Sequence, residues 1–159
     1  MITMMKKTLQ PLMESNRQDW ATPIALFNIL HDEFHFTLDP CATSENTKCK
    51  KFYTVEDDGL NQDWEGEIVF INPPYSTAKD WIMKAYEDYV TYGVTSVLLI
   101  PARVDTRIWH EIIAPYAAQI RFLKGRVKFV GAENSAPFPS AIIVFSTKIY
   151  NEKIQFIKL

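Results

Sequence analysis

Apolar and polar positions alternate along this chain with two periods, and the change of period marks its elements. Ile24, Leu26, Phe27, Leu30 and Phe34 recur at helical spacing, and Thr22-Pro23 before them reads as helix cap and first helical position. Phe36 to Leu38 is a short strand running into Asp39-Pro40. A long polar stretch follows, with a short strand at Lys51 to Thr54 and a loop from Glu56 to Trp64. Ile68-Val69-Phe70-Ile71 is a continuous apolar run stopped by Asn72-Pro73-Pro74, the pattern of a buried parallel strand whose carboxyl end opens into a loop. Ala78 to Tyr92 is a helix ended by Gly93, and Val94 to Ile100 is a second buried strand ended by Pro101. Thr106 to Tyr116 is a further helix, Ile120 to Phe122 and Val127 to Val130 are strand candidates, and Ala141 to Ser146 is a last apolar strand.

Strands alternating with helices, then strands crowded together at the end, predict an α/β fold with a mostly parallel sheet and an antiparallel edge. Ligands of such sheets bind outside the carboxyl ends of the strands. Asp39, Asn72 and Pro101 fall there, so their loops are the ones expected to carry function.

Composition narrows the class without changing that picture. A chain of 159 residues, 47% apolar and 23% charged, is long enough for one buried core and has none of the bias of disordered or fibrous chains. No repeat or Gly/Ser-rich linker divides it; residues 1–18 read as an N-terminal extension and 19–159 as a single domain. Lys6 and Lys7 are not followed by an apolar signal region, which predicts a cytoplasmic protein, and no apolar run is long enough for a membrane span. Cys41 and Cys49 lack CxxC spacing, and His31, His35 and His110 offer no supporting pattern, so no metal site is expected. The net charge of -2 argues against a protein that coats nucleic acid non-specifically. It leaves room for a local basic face, and the cations are unevenly placed: Lys48, Lys50 and Lys51 cluster, as do Arg121, Lys124, Arg126 and Lys128.

Asn72-Pro73-Pro74-Tyr75 has a physical logic of its own. Two prolines supply no backbone donors and fix φ, so the carbonyls around them are held rigid. A planar amino group with two N–H donors needs two acceptors, which the Asn72 side-chain oxygen and the Pro73 carbonyl can supply. So held, its lone pair points at an electrophilic methyl group, and Tyr75 can stack on the ring that bears the amine, a contact worth about 1–3 kcal/mol for a nucleic-acid base.

Beyond this loop, Trp20-Ala21-Thr22-Pro23, Leu38-Asp39-Pro40-Cys41-Ala42, Asp57-Asp58-Gly59-Leu60, Gln62-Asp63-Trp64, Ile100-Pro101-Ala102-Arg103, Gly125-Arg126-Val127-Lys128-Phe129 and Ala136-Pro137-Phe138-Pro139-Ser140 follow in order. Together they resemble the phage-type DNA N6-adenine methyltransferases of the Dam group. The resemblance implies an abbreviated, Rossmann-like S-adenosylmethionine-dependent methyltransferase fold, a reaction at the N6 amino group of adenine in DNA, and a phage or restriction-modification setting. The four-residue loop alone is also similar to that of protein-glutamine and some RNA-base methyltransferases. A nucleic-acid-binding protein that kept the fold without catalysis is the remaining alternative.

The resemblance further implies that Asp39-Pro40-Cys41-Ala42 takes the place of the first cofactor motif, with Asp39 on the methionyl amino group. The glycines usual at that turn are absent, and small Cys41 and Ala42 stand there instead. Asp58 is the expected ribose ligand, Asp63 the carboxylate that reads the cofactor's adenine, and Trp20 and Thr22 part of a block that closes over the cofactor. An adenine in duplex DNA must be turned out of the stack to reach Tyr75, and Arg103, Arg107, Arg126 and Lys128 are the expected phosphate contacts. No insertion after Asn72 is long enough for a separate target-recognition domain, so specificity falls to short loops or a second subunit.

Overall fold

The computed structural model describes residues 21–158. The expected extension over residues 1–18 and the cofactor candidate Trp20 lie outside the described residues. Helix α1 (Ile24–Phe34) leads to β1 (Leu38–Asp39) and β2 (Lys51–Phe52), a 3-10 turn at Gly59–Asn61, and β3 (Ile68–Ile71). A second 3-10 turn (Tyr75–Thr77) opens directly into α2 (Ala78–Tyr92), followed by β4 (Thr95–Pro101). A π turn (Trp109–Ile113) leads into α3 (Ala114–Tyr116), and β5 (Gln119–Leu123), β6 (Ser140–Phe145) and β7 (Ile154–Ile157) complete the sheet.

The seven strands are ordered β2-β1-β3-β4-β6-β5-β7. β2, β1, β3 and β4 pair in parallel, β6 runs antiparallel to both β4 and β5, and β7 pairs in parallel with β5. The sheet is thus mostly parallel, with its antiparallel pairings in the half toward the β7 edge and β6 itself two strands in from that edge. Since β1, β3 and β4 point the same way, Asp39, Asn72 and Pro101 emerge at one end of the sheet.

Period-two alternation sends the central strands' side chains to opposite layers. Leu98 and Ile100 of β4 join Trp81, Ile82 and Ala85 of α2 and Ile113 on one face. Val97 and Leu99 join Leu26, Phe27 and Leu30 of α1, with Phe36 and Phe70, on the other. Burial of each such side chain stabilises the fold by about 1.5–3 kcal/mol, so the central strands, covered on both faces, anchor it.

Several boundaries differ from the sequence reading for identifiable reasons. Thr22 does not cap α1: Pro23, with ψ of 134°, is extended and itself fills the cap position, while Thr22 is buried. Ala21 beside it forms an antiparallel bridge with Val130. Val127 to Val130 keeps the in-out alternation of a strand, with Val127 and Phe129 buried and Arg126 and Lys128 exposed, but that single bridge replaces a ladder. The helix around residue 110 loosens into a π turn because Pro115 has no N–H to give the carbonyl four residues earlier. β7 was not anticipated: it is short, at an edge, and half exposed, so its apolar signal is weak.

Candidate active site between two cavities

β1 ends at Asp39, whose carboxyl is almost wholly buried. Its two oxygens accept long hydrogen bonds from the Cys41 and Lys48 amides, at 3.4 and 3.5 Å, and so span the ends of the loop that follows. Burial pushes its pKa up to about 6, against the opposing pull of those amides and of the Lys48 charge. Burial, with the Asp39 charge adding to it, also raises the Cys41 thiol far above its usual range, which keeps it protonated and unreactive.

The Asp58–Trp64 segment packs onto this loop through Gly59. A Cβ on Gly59 would stand 2.1 Å from the Pro40 carbonyl oxygen, so the two backbones touch where no side chain fits. Trp64, fully buried, donates its indole N–H to the Gly59 carbonyl at 3.0 Å and stacks on Trp81 of α2. In the sequence Gly59 and Trp64 carry no signal of this role beyond their place in two adjacent short blocks, since neither the close approach to Pro40 nor the burial of Trp64 is visible before the chain folds.

Pro40, Cys41, Ala42, Asp58 and Gly59 face Pro74, Thr77 and Trp81 across a cavity of about 150 Å³. Asp58 is the acid in its lining, held in a left-handed conformation (φ 54°) and accepting a hydrogen bond from the Asn61 side chain at 2.6 Å. Three expected cofactor residues, Pro40, Cys41 and Asp58, therefore come together, with Asp39 directly behind them. Asp63 and Thr22 do not join them: Asp63 is exposed and accepts from the Glu65 amide at 2.9 Å as a turn residue, and Thr22 is buried at the start of α1.

Asn72 is half-buried, Pro73 buried, and the Pro74 carbonyl accepts the Thr77 amide at 3.1 Å, which fixes the 3-10 turn. The Pro73 carbonyl takes no hydrogen bond from the described residues. Tyr75 meets Phe138 edge to face, with centroids 4.7 Å apart at 83°, and Phe129 at 6.4 Å. Burial raises the Tyr75 hydroxyl well above its ordinary pKa, so it stays neutral.

Tyr75 and Ser76 also line a second cavity of about 250 Å³ on the far side of the turn, toward the loop after β4. Buried Ile82, Ile100 and Trp109 form its floor, and exposed Lys79 and Arg103 stand at its rim. Arg103 sits 6.0 Å over the Phe138 ring. Lys79 was not singled out from the sequence, since a lysine in the first turn of a helix carries no pattern. Arg107 pairs instead with Glu111, and Arg126 and Lys128 are exposed on the β5–β6 connection, in neither cavity. Arg121, another member of the basic cluster, is buried and bidentate to Glu33 at 2.7 and 2.8 Å, so it ties β5 to α1 and faces no solvent phosphate. Among the described residues no helix is long and apolar enough to cross a membrane.

Residues 10–157 match the family model described as DNA N-6-adenine-methyltransferase (Dam). The chain is 30% identical over 143 residues to the DNA N-6-adenine-methyltransferase of Haemophilus phage HP1 (strain HP1c1), covering 85% of this chain and 82% of that one. It is 31% identical over 110 residues to the DNA N-6-adenine-methyltransferase of Escherichia phage T1, covering 68% of this chain and 45% of that one. With a match running from residue 10 to residue 157, through every strand end that shapes the site, the chain belongs to the DNA N-6-adenine-methyltransferase (Dam) family.

Proposed function

We propose that this family member methylates adenine N6 in DNA with S-adenosylmethionine as donor, the donor lying in the Asp58 cavity and the acceptor amine on the Asn72-Pro73-Pro74-Tyr75 loop. The observation that carries this reading is the position of that loop: Pro74 and Thr77 face the acid cavity, while Tyr75 and Ser76 face away from it. The small side chains of Cys41 and Ala42 and the bare backbone at Gly59 fit the close approach a nucleoside-bearing cofactor needs, and Asp58 fits a ribose or a cationic group. Asp39, at the rear of that wall, adds a second carboxyl for the methionyl amino group.

When bound, the donor supplies a sulfonium methyl: the N6 lone pair forms the N–C bond as the C–S bond breaks, and the protonated amine releases its proton to water. Asn72 and the Pro73 carbonyl accept the two N–H donors, Pro74 keeps the turn rigid, and the Tyr75 ring stacks on the turned-out base. Neutral Tyr75 suits that role, since a phenolate would repel the phosphates the base brings with it. Arg103, Arg107, Arg126 and Lys128 are the proposed phosphate contacts, Arg103 foremost because it stands at a cavity Tyr75 also lines.

Nucleoside mass spectrometry of adenine-containing duplex DNA incubated with protein and S-adenosylmethionine should reveal N6-methyladenine. Asn72→Ala should lower the rate by roughly a hundredfold or more through lost positioning, with an unchanged melting temperature. Absence of the product with wild-type protein, or an undiminished rate in Asn72→Ala, would overturn the reading.

A further inference from the structure

We propose that the cavity between α2 and the loop after β4 is a phosphate subsite, in which Lys79 and Arg103 hold a backbone phosphodiester of the target strand beside the turned-out adenine. This rests on the DNA-methylation reading above and adds to it a specific anchor, including a residue outside the motif. The cavity lining contains two cations and no carboxylate. Elsewhere four cations are matched to acids, Lys51 to Glu67, Lys84 to Asp88, Arg107 to Glu111 and Arg121 to Glu33, while exposed Lys124, Arg126, Lys128 and Lys148 have no such partner among the described residues but line neither cavity. Among the described residues Lys79 and Arg103 also lack an acid partner, and what sets them apart is that both line one concave space with an apolar floor and the neutral hydroxyls of Ser76 and Thr106.

Arg103 is also held in place. Its guanidinium lies over Phe138, and Phe138 abuts Tyr75, so the cation is fixed in relation to the ring proposed to carry the base. The loop bearing it is pinned by the Ala102 amide on the Pro139 carbonyl at 2.8 Å and the Thr106 hydroxyl on the Arg103 carbonyl at 2.7 Å. A guanidinium whose only ring contact among the described residues is a cation–π approach at 6.0 Å keeps its N–H edges for a phosphate, which it meets as a fork, while the Lys79 ammonium adds a point charge. A nucleotide turned out of the duplex brings its own phosphates along, so an anion site in a cavity that Tyr75 itself lines is where one is needed. The apolar floor of Ile82, Ile100 and Trp109 lowers the local dielectric and strengthens both contacts.

The test measures affinity by fluorescence anisotropy against salt, on a duplex that the wild-type protein methylates. Lys79→Ala and Arg103→Ala should each reduce the slope of log affinity against log salt, and the double variant should reduce it by about 0.9, the value for the one phosphate contact the two cations share. Lys148→Ala, a cation at the opposite end of the sheet, should leave the slope unchanged, and S-adenosylmethionine affinity by calorimetry should be untouched in all four variants. Replacing single phosphates next to the methylated adenine by uncharged methylphosphonates should abolish the difference between wild type and the Lys79 and Arg103 variants at one position, which separates the DNA backbone from free phosphate. Unchanged slopes in both variants overturn the subsite, as does an equal loss in Lys148→Ala or the lack of coupling at every phosphate replaced. Wild-type protein that methylates no duplex would overturn the underlying reading instead, and the proposal with it.

Discussion

The two cavities that flank the Asn72 loop differ most in charge. One has Asp58 in its wall and no cation, with a second carboxyl, Asp39, just behind; the other has Lys79 and Arg103 and no acid. Sheet order produces this division: the acid side is built from the ends of β1 and the Asp58–Trp64 segment, the basic side from α2 and the end of β4, with β3 between them. A cationic methyl donor and a polyanionic strand would each be drawn to one side and repelled from the other. The loop between them carries no charge of its own, so it can accept hydrogen bonds from a neutral amine without favouring either partner.

The severest way to break the acid side is Gly59→Ala. The new methyl group would meet the Pro40 carbonyl, and backbone cannot give way as a flexible side-chain tip would. Overpacking of this kind costs about 1–3 kcal/mol, and here the shift falls on the cavity wall itself. Calorimetry should show donor affinity lowered at least roughly tenfold by displacement of the wall. DNA binding without donor should keep its salt dependence, because Gly59 meets α2 only through Trp81, which does not line the basic cavity. Unchanged donor affinity would mean that the donor lies elsewhere.

That such a contact exists was only half legible in the sequence. Strong apolar runs ended by proline placed β3 and β4 and hence the site loop, because a buried central strand has no other pattern. Pro40, Cys41 and Asp58 are expected from a resemblance of short blocks, and they meet at one cavity; Asp63, from the same blocks, does not line it. The rest was hidden for physical reasons. Lys79 and Arg121 look alike as exposed-or-paired cations until the fold shows Glu33 beside one and a cavity beside the other. β7 carries too little buried surface to register, and the Val127 to Val130 alternation reports burial of Val127 and Phe129 without a partner strand.

A smaller effect sharpens the acid side. The raised pKa of Asp39 means that the folded state holds this proton more tightly than the unfolded chain does. The carboxyl therefore suits the fold best below its unfolded value of 3.8, and stability falls as pH rises through the window from there to about 6, then levels off. The full window corresponds to a cost on the order of 3 kcal/mol at neutral pH, as an upper figure. Asp39→Asn should flatten that dependence in urea titrations from pH 4 to 8, gaining on wild type above pH 6 and matching it near pH 4. The same change should weaken donor binding, a loss of function for a gain in stability. A variant less stable at every pH would assign Asp39 chiefly to its hydrogen bonds with the Cys41 and Lys48 amides.

The smallest expected change tests how far the basic side extends. Arg107 lies close in sequence to Arg103, but its guanidinium is committed to Glu111 one helical turn on, with the Nε–Oε1 distance 3.0 Å and both side chains largely exposed. An exposed pair of this spacing contributes only about 0.3–0.5 kcal/mol, so Arg107→Ala should move the melting temperature very little. Its effect on DNA is limited in the same way, since Glu111 already offsets the charge that a phosphate would meet. The salt slope should fall by less than half the change seen for Lys79→Ala. A full unit of loss would mean that DNA takes Arg107 away from Glu111, and the positive surface would then continue from the cavity along the π turn; a small loss ends it, on that side, at the two cations that face the cavity beside Tyr75.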